Sequence, residues 1–325
     1  MSLRYVVYGA GAIGGVVGAR LHQAGHDVAL IARGAHLEAI RTRGLRLLTP
    51  AEDTTLQIPA AADPAELGVG RDTDVVLLCV KSQDTLGALA GLRAAGAATV
   101  PVVCLQNGVD NERMALRRFP EVYGGLVLAP TNHLEPGAVE AAGANLSGFI
   151  DVGRYPSGSD ALCETLAQAL SGARFRSRAV ADVMRLKYAK LLLNLGNVVG
   201  ALFAESEERA ELSRRVIAEG EAVLDGAGIN HHDPDVSARQ ERWGELGVAP
   251  IAGRERGGSS SWQSLVRGTG AIETDYLNGE IALLGRLHGI PAPLNDALCR
   301  LADSYARAGR GPGELDAADM LDVAV

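Results

Sequence analysis

The sequence is short of several features that mark whole classes of protein. It has four cysteines in 325 residues, Cys79, Cys104, Cys163 and Cys299, and no two of them form a C-x-x-C pair. Cys79 and Cys104 fall inside the strand-like runs "VVLLCV" and "VVCLQN", so reduced, buried thiols are expected rather than a disulfide framework. Positive charge is outnumbered, with 31 Lys and Arg against 39 Asp and Glu, a net charge of −8 and a pI near 5.4. That balance excludes general attraction to nucleic acid or to an anionic membrane, and any phosphate site must be local. No apolar run reaches the length of a membrane span. The N-terminus runs straight into a strand, without the charged and then apolar segments of a signal peptide. Internal repeats and low-complexity tracts are also lacking. Together these absences point to a cytoplasmic protein with no nucleic-acid or membrane partner.

What is present suits a soluble protein of two domains, with 47% hydrophobic and 22% charged residues. The first half alternates strands and helices. "RYVVYGA" is a strand, followed by a Gly-rich turn and a helix to about Ala24, and "HDVALIA" is the next strand. "LRLLT" and "TTLQIP" read as short paired strands. "DVVLLCV" and "PVVCLQN" are continuous apolar runs, as in a parallel sheet buried on both faces. Short β segments follow at "GGLVLAP", "AVEAAG" and "FIDVG", and the helix "DALCETLAQALSGA" closes this half. From about Arg178 helical periodicity dominates. The expectation is an α/β protein, with a Rossmann-type dinucleotide-binding domain over 1–177 and an all-helical domain over 178–325. The Gly- and Ser-rich loop "GVAPIAGRERGGSSS" in the second half reads as a mobile segment.

"YVVYGAGAIGG" carries Gly9-x-Gly11-x-x-Gly14 directly after a strand and at the opening of a helix. Gly9 permits the tight turn, Gly11 lets backbone approach a pyrophosphate, and Gly14 allows helix to pack on strand. Ala12 and Ile13 begin the helix whose N-terminus faces the phosphates. An NAD site usually ends its second strand in Asp or Glu, which holds the ribose 2′-hydroxyl. Here the strand ends "ALIAR" with Arg33, and Asp27 stands at the wrong end. An arginine suits the 2′-phosphate of NADP, although an ordinary surface arginine would read the same way. Two further strands end in "LLCVKSQ" and "VVCLQNG". They place Lys81 and Asn107 at carboxyl ends, where ligands of open α/β sheets lie.

The stretch "KYAKLLLNLGN" is strongly apolar, yet Lys190, Asn194 and Asn197 stand nearly in line at about 3.6 residues per turn. Lys187 lies beside them. A solvated face is one reading of that stripe. Asparagine, however, is a poor interior helix former, and two of them in register with lysine also read as a face turned toward a ligand.

The segment "SSSWQSLVRGTGAIETDYLNG" adds Ser260, Gln263 and Glu273. With "GAGAIGG", "VKSQ", "QNG", "KLLLNLGN", "SSSWQS" and "ETDYLNGEIALLGRLHGIPAPLN" in this order, almost the whole chain resembles the ketopantoate reductase (2-dehydropantoate 2-reductase) family. The resemblance implies a Rossmann domain followed by a helical domain, substrate bound between them, and NADPH-dependent reduction of a small-molecule 2-oxo acid to a 2-hydroxy acid. It implies that Lys190 is the catalytic lysine and Glu273 its acidic partner. Asn107, Asn194, Asn197 and Ser260 then hold substrate, while Gly9, Gly11, Ala12, Ile13, Gly14, Arg33, Lys81 and Asn107 hold cofactor. Arg33 and Lys81 match positions near the 2′-phosphate. Lys187 is the rival lysine, set aside because the family spacing to Asn194 fits Lys190.

Two departures bear on which oxo acid is used more than on the reaction. Asn197 follows Asn194 by three residues where the best-known family pattern has four, and the stretch from Gln263 to Glu273 is about one residue longer. "HHD" at His231–Asp233 suggests metal, but adjacent histidines in a loop rarely share one ion, so no metal is expected. Trp243 and Trp262 read as packing residues, as does Tyr276, and Gly279 as a close helix approach. A homodimer is left open. Two other functions compete: a dehydrogenase of a related Rossmann-plus-helical family, and a dinucleotide-sensing regulator without turnover, which would not need Lys190 and Glu273 together.

Overall fold

A computed structural model describes residues 3–233, 244–254, 257–268 and 270–321. Trp243 and part of the Gly- and Ser-rich loop, residues 255 and 256, lie outside the described residues. By packing, the chain divides into two units, Met1–Met184 with Ala238–Arg256, and Arg185–Ser237 with Gly257–Val325.

In the first unit the apolar runs become a mixed eight-stranded sheet, ordered β12-β11-β8-β7-β6-β1-β2-β5. Its strands are β1 (Arg4–Tyr8), β2 (Asp27–Ile31), β5 (Ala60–Ala61), β6 (Asp74–Leu78), β7 (Val102–Cys104), β8 (Val122–Leu128), β11 (Gly148–Arg154) and β12 (Phe175–Arg176). All neighbours are parallel except β8 and β11. Strand β1 pairs with β2 on one side (Arg4↔Asp27) and with β6 on the other (Arg4↔Asp74). The chain therefore reverses its direction of travel at β1, and the carboxyl ends of β1 and β6 form the switch point at which such sheets bind ligands. Val6, Val7, Val76, Leu78, Val102 and Val103 are fully enclosed in a sheet packed against helices, which in this unit include α3 (Thr85–Ala94), α4 (Asn111–Leu116) and α5 (Ala161–Gly172). At the opposite, amino ends, Arg4 and Asp74 form a buried two-pronged ion pair, with Nε–Oδ1 and Nη2–Oδ2 both at 2.7 Å.

A second sheet joins β3 (Leu45–Leu48), β4 (Asp53–Leu56), β9 (Thr131–Asn132) and β10 (Ala138–Ala141) in the order β4-β3-β10-β9. The expected pairing of "LRLLT" with "TTLQIP" is the antiparallel β3–β4 ladder. The boundary expected near residue 177 falls inside this unit. β12 still pairs with β11, Val180 N–H donates to Val152 O at 2.8 Å, and a Cβ on Gly153 would meet Val183 at 2.9 Å. The chain stays bound to the sheet edge until the next helix starts.

The second unit is helical. Helix α6 (Val183–Leu202) starts at the end of the first unit and supplies the leucine-rich centre, with Leu191, Leu195, Val199 and Leu202 buried. Helix α7 (Glu207–Gly226) is capped by Ser206, whose Oγ accepts Arg209 N–H at 3.1 Å, and has Glu207 and Glu208 in its first turn, where the helix dipole favours them. Further helices include α8 (Ser260–Val266), α9 (Asn278–His288) and α10 (Pro293–Arg307). Helices α6 and α7 approach closely at Gly220, where a Cβ would meet Leu195 at 2.5 Å. Gly279 plays the same part toward Cys299, as expected from the sequence. A buried amide network joins four helices. Asn278 Nδ2 donates to Leu195 O at 3.2 Å and to Asn295 Oδ1 at 2.9 Å, and Asn295 Nδ2 donates to Val216 O and Glu219 Oε1. Glu219 also accepts the Leu294 and Asn295 N–H groups, which caps α10. Among the described residues, no helix is long and apolar enough to cross a membrane.

Candidate active site

In the first unit, the Gly-rich turn is dictated by contact. Gly9 follows β1 with φ +99°, and its N–H donates to Ile31 O at 3.0 Å. That conformation is left to glycine, and a Cβ there would also meet Val80 N at 2.8 Å. A Cβ on Gly14 would stand 2.1 Å from Gly9 O and 2.9 Å from Val7. Gly15, which the motif does not include, is equally tight, since a Cβ would meet Val139 at 2.6 Å and Ala10 O at 2.8 Å. Gly11 differs. A Cβ there would touch nothing within 4 Å, so the space in front of this residue is open. Gly11 is also the N-cap of α1 (Ala12–Gln23), and no side chain caps that helix. Open space, a bare helix N-terminus and the switch point coincide, which is the arrangement that receives a pyrophosphate.

His36 fixes the turn from behind, a role with no signal in the sequence. Its Nδ1 accepts Gly137 N–H at 2.9 Å. Its Nε2 must therefore carry the proton donated to Ala10 O, at 2.7 Å. Burial, followed by the His133 ring 4.1 Å away, pushes its pKa down to about 4, so the ring is neutral.

Lys81 and Asn107 are both half-buried, at the ends of β6 and β7. Their loops are tied by a buried network that sequence reading missed. Gln106 Nε2 donates to Val80 O at 2.9 Å and to Thr85 Oγ1 at 2.7 Å. Thr85 Oγ1 donates to Asn111 Oδ1 at 2.7 Å, and Asn111 Nδ2 donates to Ser82 Oγ and Asn107 O, both at 3.0 Å. The "SQ" and "QN" of the two motifs therefore include structural partners as well as candidate ligand groups. Arg33 occupies the N-cap position of α2 (Gly34–Arg43) beyond β2 without capping it through its side chain, which is 84% exposed and places Nη2 3.0 Å from Asp84 Oδ2.

In the second unit the stripe on α6 is only partly solvated. Lys190 and Asn197 are half-buried, Asn194 is 7% exposed and Lys187 is 4% exposed. Asn194 Nδ2 is buried and finds no hydrogen-bond partner among the described residues. Such a donor is costly unless something accepts from it. The segments carrying the other candidates are anchored to this same helix. Ser259 Oγ caps α8 through Trp262 N–H and donates to Asn197 O at 3.2 Å, which sets Ser260 one residue away. Asn278, just after the 3-10 turn Glu273–Tyr276, donates to Leu195 O. Glu273 is 5% exposed, and its neighbour Thr274 also has a buried Oγ1 without a hydrogen-bond partner among the described residues.

Family models for "Ketopantoate reductase PanE/ApbA" and its C-terminal counterpart match residues 5–157 and 182–306. The chain belongs to the ketopantoate reductase family. It is an oxidoreductase of that dinucleotide-dependent kind, with a small keto acid as substrate class. A 2-dehydropantoate 2-reductase of Pyrococcus horikoshii is 29% identical over 95% of this chain and 99% of its own length. The crystal structure of a PanE/ApbA family ketopantoate reductase from Ralstonia eutropha is 31% identical, covers 94% of this chain and 99% of its own, and superposes with a TM-score of 0.77. The ternary structure of D-mandelate dehydrogenase with NADH and anilino(oxo)acetate has the same fold, with a TM-score of 0.78, 22% identity and coverage of 94% and 99%.

Proposed function

We propose that the chain reduces 2-dehydropantoate, or a closely related branched 2-oxo acid, to the 2-hydroxy acid with NADPH. The observation that carries this reading is the convergence on α6. Lys190 and Asn194 share one face, Asn194 has a buried donor in need of an acceptor, and the Ser260 and Glu273 segments are both tied to that helix's backbone. Bound NADPH supplies the hydride. Gly11 and the first N–H groups of α1 at Ala12 and Ile13 would hold its pyrophosphate, with Gly9 and Gly14 allowing the turn and the helix packing that bring them there, and Lys81 and Asn107 stand at the neighbouring strand ends. Lys190, as ammonium, stabilises the charge that develops on the carbonyl oxygen and then gives it a proton. Asn194, Asn197 and Ser260 hold carboxylate and hydroxyl oxygens without adding charge. Glu273 orients Lys190 or accepts from a substrate hydroxyl. Four cysteines without disulfides suit a reducing compartment, the cytoplasm.

Arg33 serves the 2′-phosphate in this reading. Its present partner is a carboxylate, Asp84, and a carboxylate at that place also suits a ribose 2′-hydroxyl; the D-mandelate dehydrogenase structure contains NADH. A second reading is therefore the same reduction with NADH. Initial rates with a panel of 2-oxo acids, each with NADPH and with NADH, test both. NADPH is expected to be the better substrate, and Arg33→Asp should lower that preference about tenfold or more, since a charged partner is lost and a like charge gained. Unchanged preference in the variant sinks the assignment of Arg33. No turnover of any oxo acid by wild type sinks the reductase reading.

A further inference from the structure

The turn after α7 carries a group of side chains that the reductase reading does not use. Helix α7 ends at Gly226, and Gly228 (φ +68°) reverses the chain, with Ile229 N–H donating back to Leu224 O at 2.9 Å. The reversal lays His231 and His232 over the last turn of α7, where Asp225 stands. His231 Nε2 is 3.8 Å and His232 Nε2 is 3.6 Å from Asp225 Oδ1. One ligand atom from each of the three lies within 4.8 Å of the others. The sequence run "HHD" suggested Asp233 as the third member. Instead Asp233 accepts Arg185 Nη1 at 2.6 Å, and the third group comes from the helix.

We propose that Asp225, His231 and His232 form a binding site for a divalent transition-metal ion, zinc being the ion that suits two imidazoles and a carboxylate. Three features carry this. The first is spacing. Bonds of about 2.0–2.1 Å in a tetrahedral set put donor atoms about 3.3–3.4 Å apart; the two edges to Asp225, at 3.6 and 3.8 Å, are within a few tenths of an ångström of that, and the edge between the two histidines lies within 4.8 Å. The second is tautomer. His231 is buried, and its Nδ1 lies 3.0 Å from Ile229 O. A carbonyl can only accept, so Nδ1 bears a proton and Nε2, which faces Asp225, is the nitrogen that would bind metal; a carbonyl partner on the far nitrogen is how metal-bound histidines are usually fixed. The third is charge. Asp225 sits at a helix C-terminus, where a carboxylate faces the negative end of the dipole and a cation is favoured. The loop is already clamped from the other side, because Arg185 Nη1 also donates to His232 O at 2.8 Å and its charge is matched by Asp233. The three protein donors leave a fourth position for water.

The test is titration of the full chain with zinc ion alone by calorimetry, beside thermal melts with and without zinc. Wild type should take up one equivalent and melt higher with zinc. His232→Ala changes a side chain that is 80% exposed, so the metal-free melt should stay as in wild type, while zinc affinity falls at least about tenfold and the zinc-induced rise disappears. Asp225→Asn should do the same. Activity should be equal in wild type and both variants, which separates this site from the reductase reading. Uptake by His232→Ala and Asp225→Asn equal to wild type, or no uptake by wild type, overturns the proposal.

Discussion

In the proposed reductase, the Gly9–Gly14 turn and the Lys190–Asn197 stripe would bind by different means. In the turn the recognition surface is backbone, and what the residues must supply is the absence of side chains: a single Cβ at Gly14 would overlap Gly9 O at 2.1 Å. On α6 the backbone is satisfied by the helix and everything depends on which side chains stand on one face. The first kind of site fails by steric exclusion and fails for any dinucleotide. The second fails chemically, one function at a time. The two regions should therefore separate cleanly when each is damaged.

The largest effect is expected on the stripe. Lys190→Ala should lower turnover about a hundredfold or more, the usual scale for a lost general acid, and leave NADPH affinity by fluorescence titration nearly unchanged. Lys187 is the control. It is 4% exposed, so Lys187→Met, which keeps the apolar stem, is the proper variant. It should cost far less turnover. Near-wild-type rates in Lys190→Ala would return the stripe to being a half-solvated helix face.

In the turn, two glycines three apart should fail differently. Gly14→Ala has no room even in the free protein, so its melting temperature should drop along with binding. Gly11→Ala meets nothing within 4 Å. Its melt should match wild type while affinity for NADPH and NADH alike falls about tenfold or more, because the methyl group occupies the space through which the pyrophosphate approaches. A stable Gly11→Ala with full affinity would show that the phosphates do not pass there.

A smaller loss is expected from Asn194→Ala. A neutral hydrogen bond to substrate is worth about 0.5–1.5 kcal/mol, so kcat/KM for the oxo acid should fall about two- to twelvefold, with cofactor affinity intact. Equal loss of cofactor affinity would move Asn194 out of the substrate's neighbourhood.

The comparison also explains what the sequence made legible. The sheet was readable because a strand buried on both faces is a continuous apolar run, as in "DVVLLCV", and the turn was readable because close approach leaves glycine as a signature. Lys190 and Asn194 stood out as polar residues in register on an apolar helix, but it was the resemblance to the family, and not the spacing, that favoured a ligand-facing stripe over a solvated one. The supports were not. His36, Gln106, Thr85 and Asn111 hold their loops through partners tens of residues away, as with His36 and Gly137, so no local spacing announces them. The expected division near 177 rested on the change to helical periodicity, whereas the chain stays paired to the sheet edge beyond it, through Val180 and Val152.

The least effect should come from the turn's rear support, and it is read by pH. His36 is neutral in the fold, with its pKa pushed down from 6.5 to about 4 by burial and by His133. In the unfolded chain it titrates near 6.5. Between these values the unfolded state binds more protons than the folded one, so stability is complete above pH 6.5 and declines as pH falls toward 4; below that both states are protonated and the loss levels off. Allowing for partial solvent access, the contribution lost between pH 6.5 and 5 is about 1 kcal/mol. His36→Gln keeps a side-chain donor for Ala10 O and removes the titration. Its denaturant-unfolding free energy should start lower than wild type at pH 7 and converge on it by pH 5. Parallel curves for the two proteins across that range would mean that His36 is not the group held neutral behind the turn.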